Sequence, residues 1–251
     1  MNLDKIFNFR LIISLILIIL LFYSGYWIVV SNILKKTISD ELNKNDFINY
    51  NDLSISGFPT QVQVNVHEFK ILDSINTNEI LGSELIKISM HPFDTSKIAL
   101  KSDIINILIS NDGLTFNIAL DKTLSLISID NSDHHNINLA IDDITILGNE
   151  INIASLKQIQ IKLDETSFHN FKINSKINYA RLETLDTQNV SIKIDGNLEL
   201  NKDTLDGILN ISVKELKMNE EIFNIPLTIR RNQVIFLFMN IFDLNKILSF
   251  L

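Results

Sequence analysis

The chain has 251 residues, 46% of them hydrophobic, a formal net charge of −8 and no cysteine. That composition excludes disorder and allows one extramembrane domain with a buried core plus an appendage. The acidic balance, with no stripe of Lys and Arg, excludes nucleic acid as a partner, and the missing cysteines exclude disulfides, thiolate metal sites and cysteine nucleophiles.

In chain order, residues 1–10 are a short polar end and Leu11 to Val30 read LIISLILIILLFYSGYWIVV, uncharged throughout. Roughly 20 apolar residues match a hydrocarbon core of about 30 Å, so a single transmembrane helix is expected over 11–30. A cleaved signal peptide would carry a shorter apolar run and end in small residues, which Tyr26-Trp27-Ile28 are not. Tyr23, Tyr26 and Trp27 gather at the distal end, where amphipathic rings suit the membrane interface. Lys5 and Arg10 before the span nearly balance Lys35 and Lys36 after it. The expected orientation places the amino end in the cytoplasm and the body outside it, in the periplasm of a bacterium whose inner membrane is crossed once.

Residues 31–49 follow as a juxtamembrane helical stalk. Ile33, Leu34, Ile38 and Leu42 share one helical side, and the expectation is a solvated continuation of the membrane helix.

From residue 50 to 251 the apolar pattern changes to period two. Gly57-Phe58-Pro59 form a corner directly before Val62, Val64 and Val66. Glycine supplies a backbone shape closed to other residues, and proline fixes its own φ. At His67-Glu68 the apolar phase slips, which predicts a bulge and added curvature. In INILISNDGLTFNI a four-residue loop, Ser110 to Gly113, pairs Ile109 with Leu114, Ile107 with Phe116 and Ile105 with Ile118. In ITILGNEINI a Gly148-Asn149 turn pairs Ile146 with Ile151, Ile144 with Ile153 and Ile141 with Leu156, with irregularities at Asp142-Asp143 and Ala154-Ser155. SIKIDGNLEL reads as a three-residue hairpin loop at Asp195 to Asn197 that sets Ile194 against Leu198. PLTIRRNQVIFLF closes around Arg231-Asn232 with Ile229 opposite Val234 and Leu227 opposite Phe236, and Pro226 marks an edge or strand start.

The expected fold is therefore mainly β: an amino-terminal transmembrane helix followed by a long antiparallel meander curled into a groove or half-barrel. Val62, Val64, Val66, Ile107, Phe116, Ile118, Ile144, Ile146, Phe236 and Phe238 are the candidate groove lining.

The anchor, the corner at Gly57, Phe58 and Pro59, and the later segment LIKISMHPFDTSKIAL resemble single-span bacterial envelope proteins of domain-of-unknown-function family 2125. Thr60-Gln61 stand where that family carries an aromatic-Arg pair. The resemblance implies a periplasm-facing body without assigned activity. In architecture, the anchor plus amphipathic meander is similar to AsmA-like and other groove-forming lipid-handling proteins of the bacterial envelope.

No nucleophile elbow, phosphate-cradling glycine loop, zinc motif or EF-hand loop is present. His134 and His135 lie near Asp130, Asp133, Asp142 and Asp143, but adjacent strand residues face opposite ways and do not ligate one ion from a regular strand. His67, His91 and His169 read as surface or structural. The expected function is non-enzymatic, with no cofactor and no metal. It is an anchored protein whose apolar groove binds lipid or acyl chains in envelope maintenance or lipid transport. The alternative is an assembly module that pairs with other envelope proteins through sheet edges.

Overall fold

The computed structural model describes residues 3–72, 79–111, 114–129, 134–149, 151–167, 170–182, 190–201, 204–215, 221–236 and 239–243. One helix, α1 (Leu3–Asn43), precedes β1 (Ile48–Asn49), β2 (Asp52–Ser56), β3 (Val62–Leu72), β4 (Glu79–His91) and β5 (Asp94–Asn111). There follow β6 (Leu114–Ile129), β7 (His135–Gly148), β8 (Ile151–Ser167), β9 (Asn170–Leu182) and β10 (Val190–Asn201). The last are β11 (Thr204–Glu215), β12 (Glu221–Arg230), β13 (Gln233–Phe236) and β14 (Met239–Asp243). Among the described residues, all fourteen strands form one sheet in sequence order from β3 onward, with β1 and β2 both on the outer edge of β3. Each pairing is antiparallel, and β14 does not return to β1, so the meander stays open rather than closing into a barrel.

The stretch expected to be a solvated stalk is continuous with the apolar span in α1, yet it is packed on one side. Leu34, Ile38 and Leu42 lie against a buried cluster of Leu53, Val64 and Val66, together with Tyr50, Phe69, Ile86 and Ile88. The reason is in the spacing: 34, 38 and 42 recur every four residues and form one helical stripe, which covers the valine face. Ile33, off that stripe, is 61% exposed.

Two hairpins differ from the expected register. Ile109 stands opposite Phe116, Ile107 opposite Ile118 and Ile105 opposite Leu120, because the ladder runs on to Asn111 and Leu114. A two-residue slip keeps every side chain on its face, so apolar matching could not separate the two registers. Ile146 pairs with Ala154, Ile144 with Leu156 and Ile141 with Ile159. Asn149 takes φ +48°, accepts from the Thr115 amide at 3.1 Å and donates its own amide to the Thr115 carbonyl at 2.9 Å. Strand β6 thus fixes that turn, and a register shift between Ile146 and Leu147 absorbs the remainder.

The hairpin expected at Asp195 to Asn197 does not exist, since β10 runs straight through it. Gly196 pairs with Leu209 on one side and Ile173 on the other. A Cβ there would lie 2.2 Å from the Ile208 carbonyl oxygen, so the glycine permits close backbone approach within the sheet instead of a turn. The closure at Arg231-Asn232 is as expected, with φ values of +48° and +65° and Ile229 opposite Val234. Pro226 sits inside β12, opposite Asn210 of β11 and outside the Thr228 to Arg230 stretch that β13 pairs.

Candidate functional site

Successive ladders place one apolar row after another across the sheet. Val62, Met90, Ile98, Ile127, Ile137, Leu163, Ile173, Gly196, Leu209 and Leu227 are register partners in turn, from β3 to β12. The next row runs Val64, Ile88, Leu100, Ser125, Leu139, Ile161, Ser175, Ile194, Ile211 and Ile225. A third begins at Val66 and Ile86, passes Ser102, Thr123, Ile141, Ile159, Ile177 and Ile192, and reaches Val213. The reverse face carries Lys87, Lys101, Leu124, Ala140, Gln160, Lys176 and Lys193 at the intervening positions. The sheet is therefore amphipathic along its whole width.

In the first two rows the first strand is closed off and the later strands are not. Val62, Val64 and Val66 are 0, 0 and 1% exposed, while Met90, Ile98, Ile127, Ile137, Leu139, Ile161 and Leu163 remain half-buried. The third row is the most enclosed, with Ser102, Thr123, Ile141, Ile159 and Val213 all buried. The total accessible surface is 16931 Å². A compact monomer of 28.7 kDa would expose about 11,300 Å².

A line of phase resets crosses the sheet beside the third row. The ladders skip Glu68 with Glu84, Lys122 with Asp142, Asp142 with Gln158, and Gln158 with Asn178. Glu68, Lys122 and Gln158 take φ values of +51°, +49° and +53°. Such a residue turns the pleat by one position, so Phe69 packs on the same cluster as Val64 and Val66. Likewise the Oγ atoms of Ser83 and Ser102 meet at 2.7 Å. The resetting residues pair with one another: Lys122 with Asp142 at 3.6 Å, and Asn178 donating to Gln158 at 3.2 Å. Strands of up to 18 residues thereby keep their apolar positions on one face across the irregularity.

At the corner end of the sheet, two loops dock on α1. The Tyr23 hydroxyl donates to the Pro59 carbonyl, Tyr26 to the Pro92 carbonyl at 2.8 Å and the Trp27 indole to the Gln61 carbonyl at 2.9 Å. Phe58 meets Tyr23 and Trp27 at 6.1 and 5.4 Å between ring centroids, and Phe93 stacks on Tyr26 at 5.1 Å. Gly57 takes φ +97°, and a Cβ on it would lie 2.8 Å from the Gln61 carbonyl oxygen, which explains the glycine of the corner. The Phe58–Pro59 peptide is cis.

Of the expected lining residues, Val64 and Val66 are closed off beneath the helix and Val62 is fully buried, so the three are core rather than accessible lining. Ile107, Ile118 and Ile146 are consecutive partners in one row, Ile144 lies in the next beside Leu120, and Phe116 faces Ile109 and Gly148. Phe236 is placed by its backbone in β13, and Phe238 lies outside the described residues. The rows through Leu139, Ile161, Leu163, Ile173 and Ile211 were missed, although IQIKL and ILNIS carry the same period-two signal. Phe93 was missed because nothing in the sequence shows its contact with Tyr26.

Several titratable groups are engaged in local pairs. His135 Nδ1 lies 2.8 Å from Glu165 Oε2, an oxygen that also accepts the His135 amide at 3.0 Å, linking β7 to β8. His67 Nε2 contacts the Ser54 hydroxyl at 3.1 Å, and His91 Nδ1 accepts the Phe93 amide at 3.3 Å. Asp143 pairs with Lys157 at 3.2 Å. Asp130, Asp133 and His169 lie outside the described residues. Among the described residues, no group of three or more His, Asp or Glu converges on one point. No protein-family profile, curated protein or solved structure matches the chain.

Proposed function

We propose that the protein is anchored in a bacterial inner membrane by α1, with its body in the periplasm, and that the open apolar face of β4–β12 binds acyl chains of lipids. It acts there in lipid movement or envelope maintenance, without catalysis. The observation that carries this reading is the pair of apolar rows, half-buried from Met90 to Leu163 and from Ile88 to Ile161, that continues outward from the strands seated on an apolar helix. A fully buried Ile or Leu contributes about 1.5–3 kcal/mol relative to exposure, so acyl chains laid along the rows would recover a free energy the fold leaves unused. The reverse face, with Lys87, Lys101, Gln160, Lys176 and Lys193 among its residues, is the more polar of the two.

The full chain, extracted from membranes and examined by native mass spectrometry, is expected to retain diacyl phospholipid. Leu139→Asp and Ile161→Asp should lower the number retained, whereas Lys162→Asp on the reverse face should not. Equal retention in all three variants would assign the lipid to the surroundings of the helix and remove the basis of the proposal. Retention of a protein in place of lipid would favour the assembly reading.

A further inference from the structure

We propose that Phe58 and Phe93 form a wedge that sinks the corner end of the sheet into the membrane interface, bringing the first open apolar row to the bilayer surface. The inference rests on α1 being a membrane anchor, and it adds where the sheet meets the lipid.

The argument is one of height along the helix. Arg10 and Tyr23 are separated by about 20 Å of helix at about 1.5 Å per residue, well short of a hydrocarbon core of about 30 Å. The uncharged span continues to Val30, which brings the distance from Arg10 to about 30 Å. Tyr23, Tyr26 and Trp27 therefore lie roughly 5–10 Å on the membrane side of the far end of the span, at the hydrocarbon edge of the interface, and the rings that touch them share that depth. Phe58 is 50% exposed and Phe93 66% exposed, though both lie against the anchor.

In water, two exposed phenylalanines on adjacent turns are an unused apolar surface. In the interface they extend the aromatic belt of the helix. The loop carbonyls of Pro59, Gln61 and Pro92 are taken up by Tyr23, Trp27 and Tyr26. Three backbone acceptors that would be costly beside hydrocarbon are thus satisfied. Strand β3 leaves this rim at Val62 and β4 arrives at it through Met90, whose row continues to Ile98 and Ile127. An acyl chain passing from the bilayer to that row need not cross open water.

Trp27 is the single tryptophan of the chain, which makes depth measurable. The full chain is reconstituted in phosphatidylcholine vesicles carrying lipids with a doxyl quencher near the top or near the end of the acyl chain. Native Trp27 should be quenched more strongly by the shallow label. In a Trp27→Phe background, Phe93→Trp and Phe58→Trp should each show the same preference, with emission blue-shifted from that of tryptophan in water. Unquenched emission at both positions, with Trp27 quenched in the native chain, overturns the wedge and leaves the anchor standing. An unquenched Trp27 overturns the anchor and the wedge together. The two positions lie on separate loops, so if one variant loses its β circular dichroism the other decides.

Discussion

The indole N–H of Trp27 donates to the backbone carbonyl of Gln61 at 2.9 Å, tying an apolar helix to the corner that joins β2 to β3. Together with the Tyr26 bond to Pro92, it sets the height at which the sheet stands beside that helix. Removing such a bond leaves a carbonyl without its partner and costs about 1 kcal/mol. Tyr26→Phe, which keeps the ring stack on Phe93, should raise amide exchange in the His91 to Ser96 turn by roughly fivefold and leave β7 to β11 unchanged, the factor following from about 1 kcal/mol. Hydrogen exchange with mass spectrometry checks this.

The covered and open parts of one face should respond differently to truncation. Val64→Ala removes fully buried methyl groups beneath α1 and should destabilise by about 2–3 kcal/mol, combining lost transfer energy with a cavity. Ile161→Ala, on the open row, removes more atoms and should cost less, under about 1.5 kcal/mol, because its side chain is only half-buried. Urea unfolding of both variants in the same micelle gives the comparison.

Gly196 distinguishes a strand from a turn. Gly196→Ala drives a Cβ against the Ile208 carbonyl oxygen at 2.2 Å and against a Leu209 methyl at 2.6 Å. The strand must part or the neighbours must move, at about 1–3 kcal/mol. A hairpin at this position would take the substitution without disturbing β11, so amide exchange at Ile208 and Leu209 separates the two.

Lys70 carries the one pH expectation. A hydrogen bond from its ammonium to Glu79 at 2.8 Å, reinforced by that carboxylate's charge, raises its pKa above the ordinary lysine value. The charged form is thus favoured in the folded chain. Its contribution is fully present below the unfolded-state pKa of lysine and is lost as pH rises through the higher folded-state value. Glu79→Gln should lower the Lys70 pKa toward the ordinary value, as read by nitrogen-15 NMR of the side chain.

The architecture was legible because period two persists through the body and the long uncharged run stands apart from it. The registers were less so. Matching Ile107 to Phe116 or to Ile118 satisfies the same face, and apolar alternation is blind to a slip of two. Asp-Gly at 195 and 196 carries the composition of a turn, and only the close approach of β11 explains a glycine there. The reset at Glu68 was visible from Val66 and Phe69 lying three apart, as was the one at Asp142. Its partner at Gln158 falls at Ala154-Ser155 if Ile146 is matched to Ile151, and the ladder matches Ile146 to Ala154 instead. The cover over Val64 and Val66 was hidden for a different reason. Leu34, Ile38 and Leu42 show a stripe, but not what it lies against.

The most direct measurement is a comparison of the two faces in intact membranes. Ile161→p-benzoylphenylalanine places a photoreactive group on the open apolar row, and Lys162→p-benzoylphenylalanine places the same group one residue away on the reverse face. On irradiation, position 161 should yield covalent phospholipid adducts and position 162 essentially none. Equal labelling at both positions, or adducts at 161 with protein alone, would contradict an apolar face that holds acyl chains.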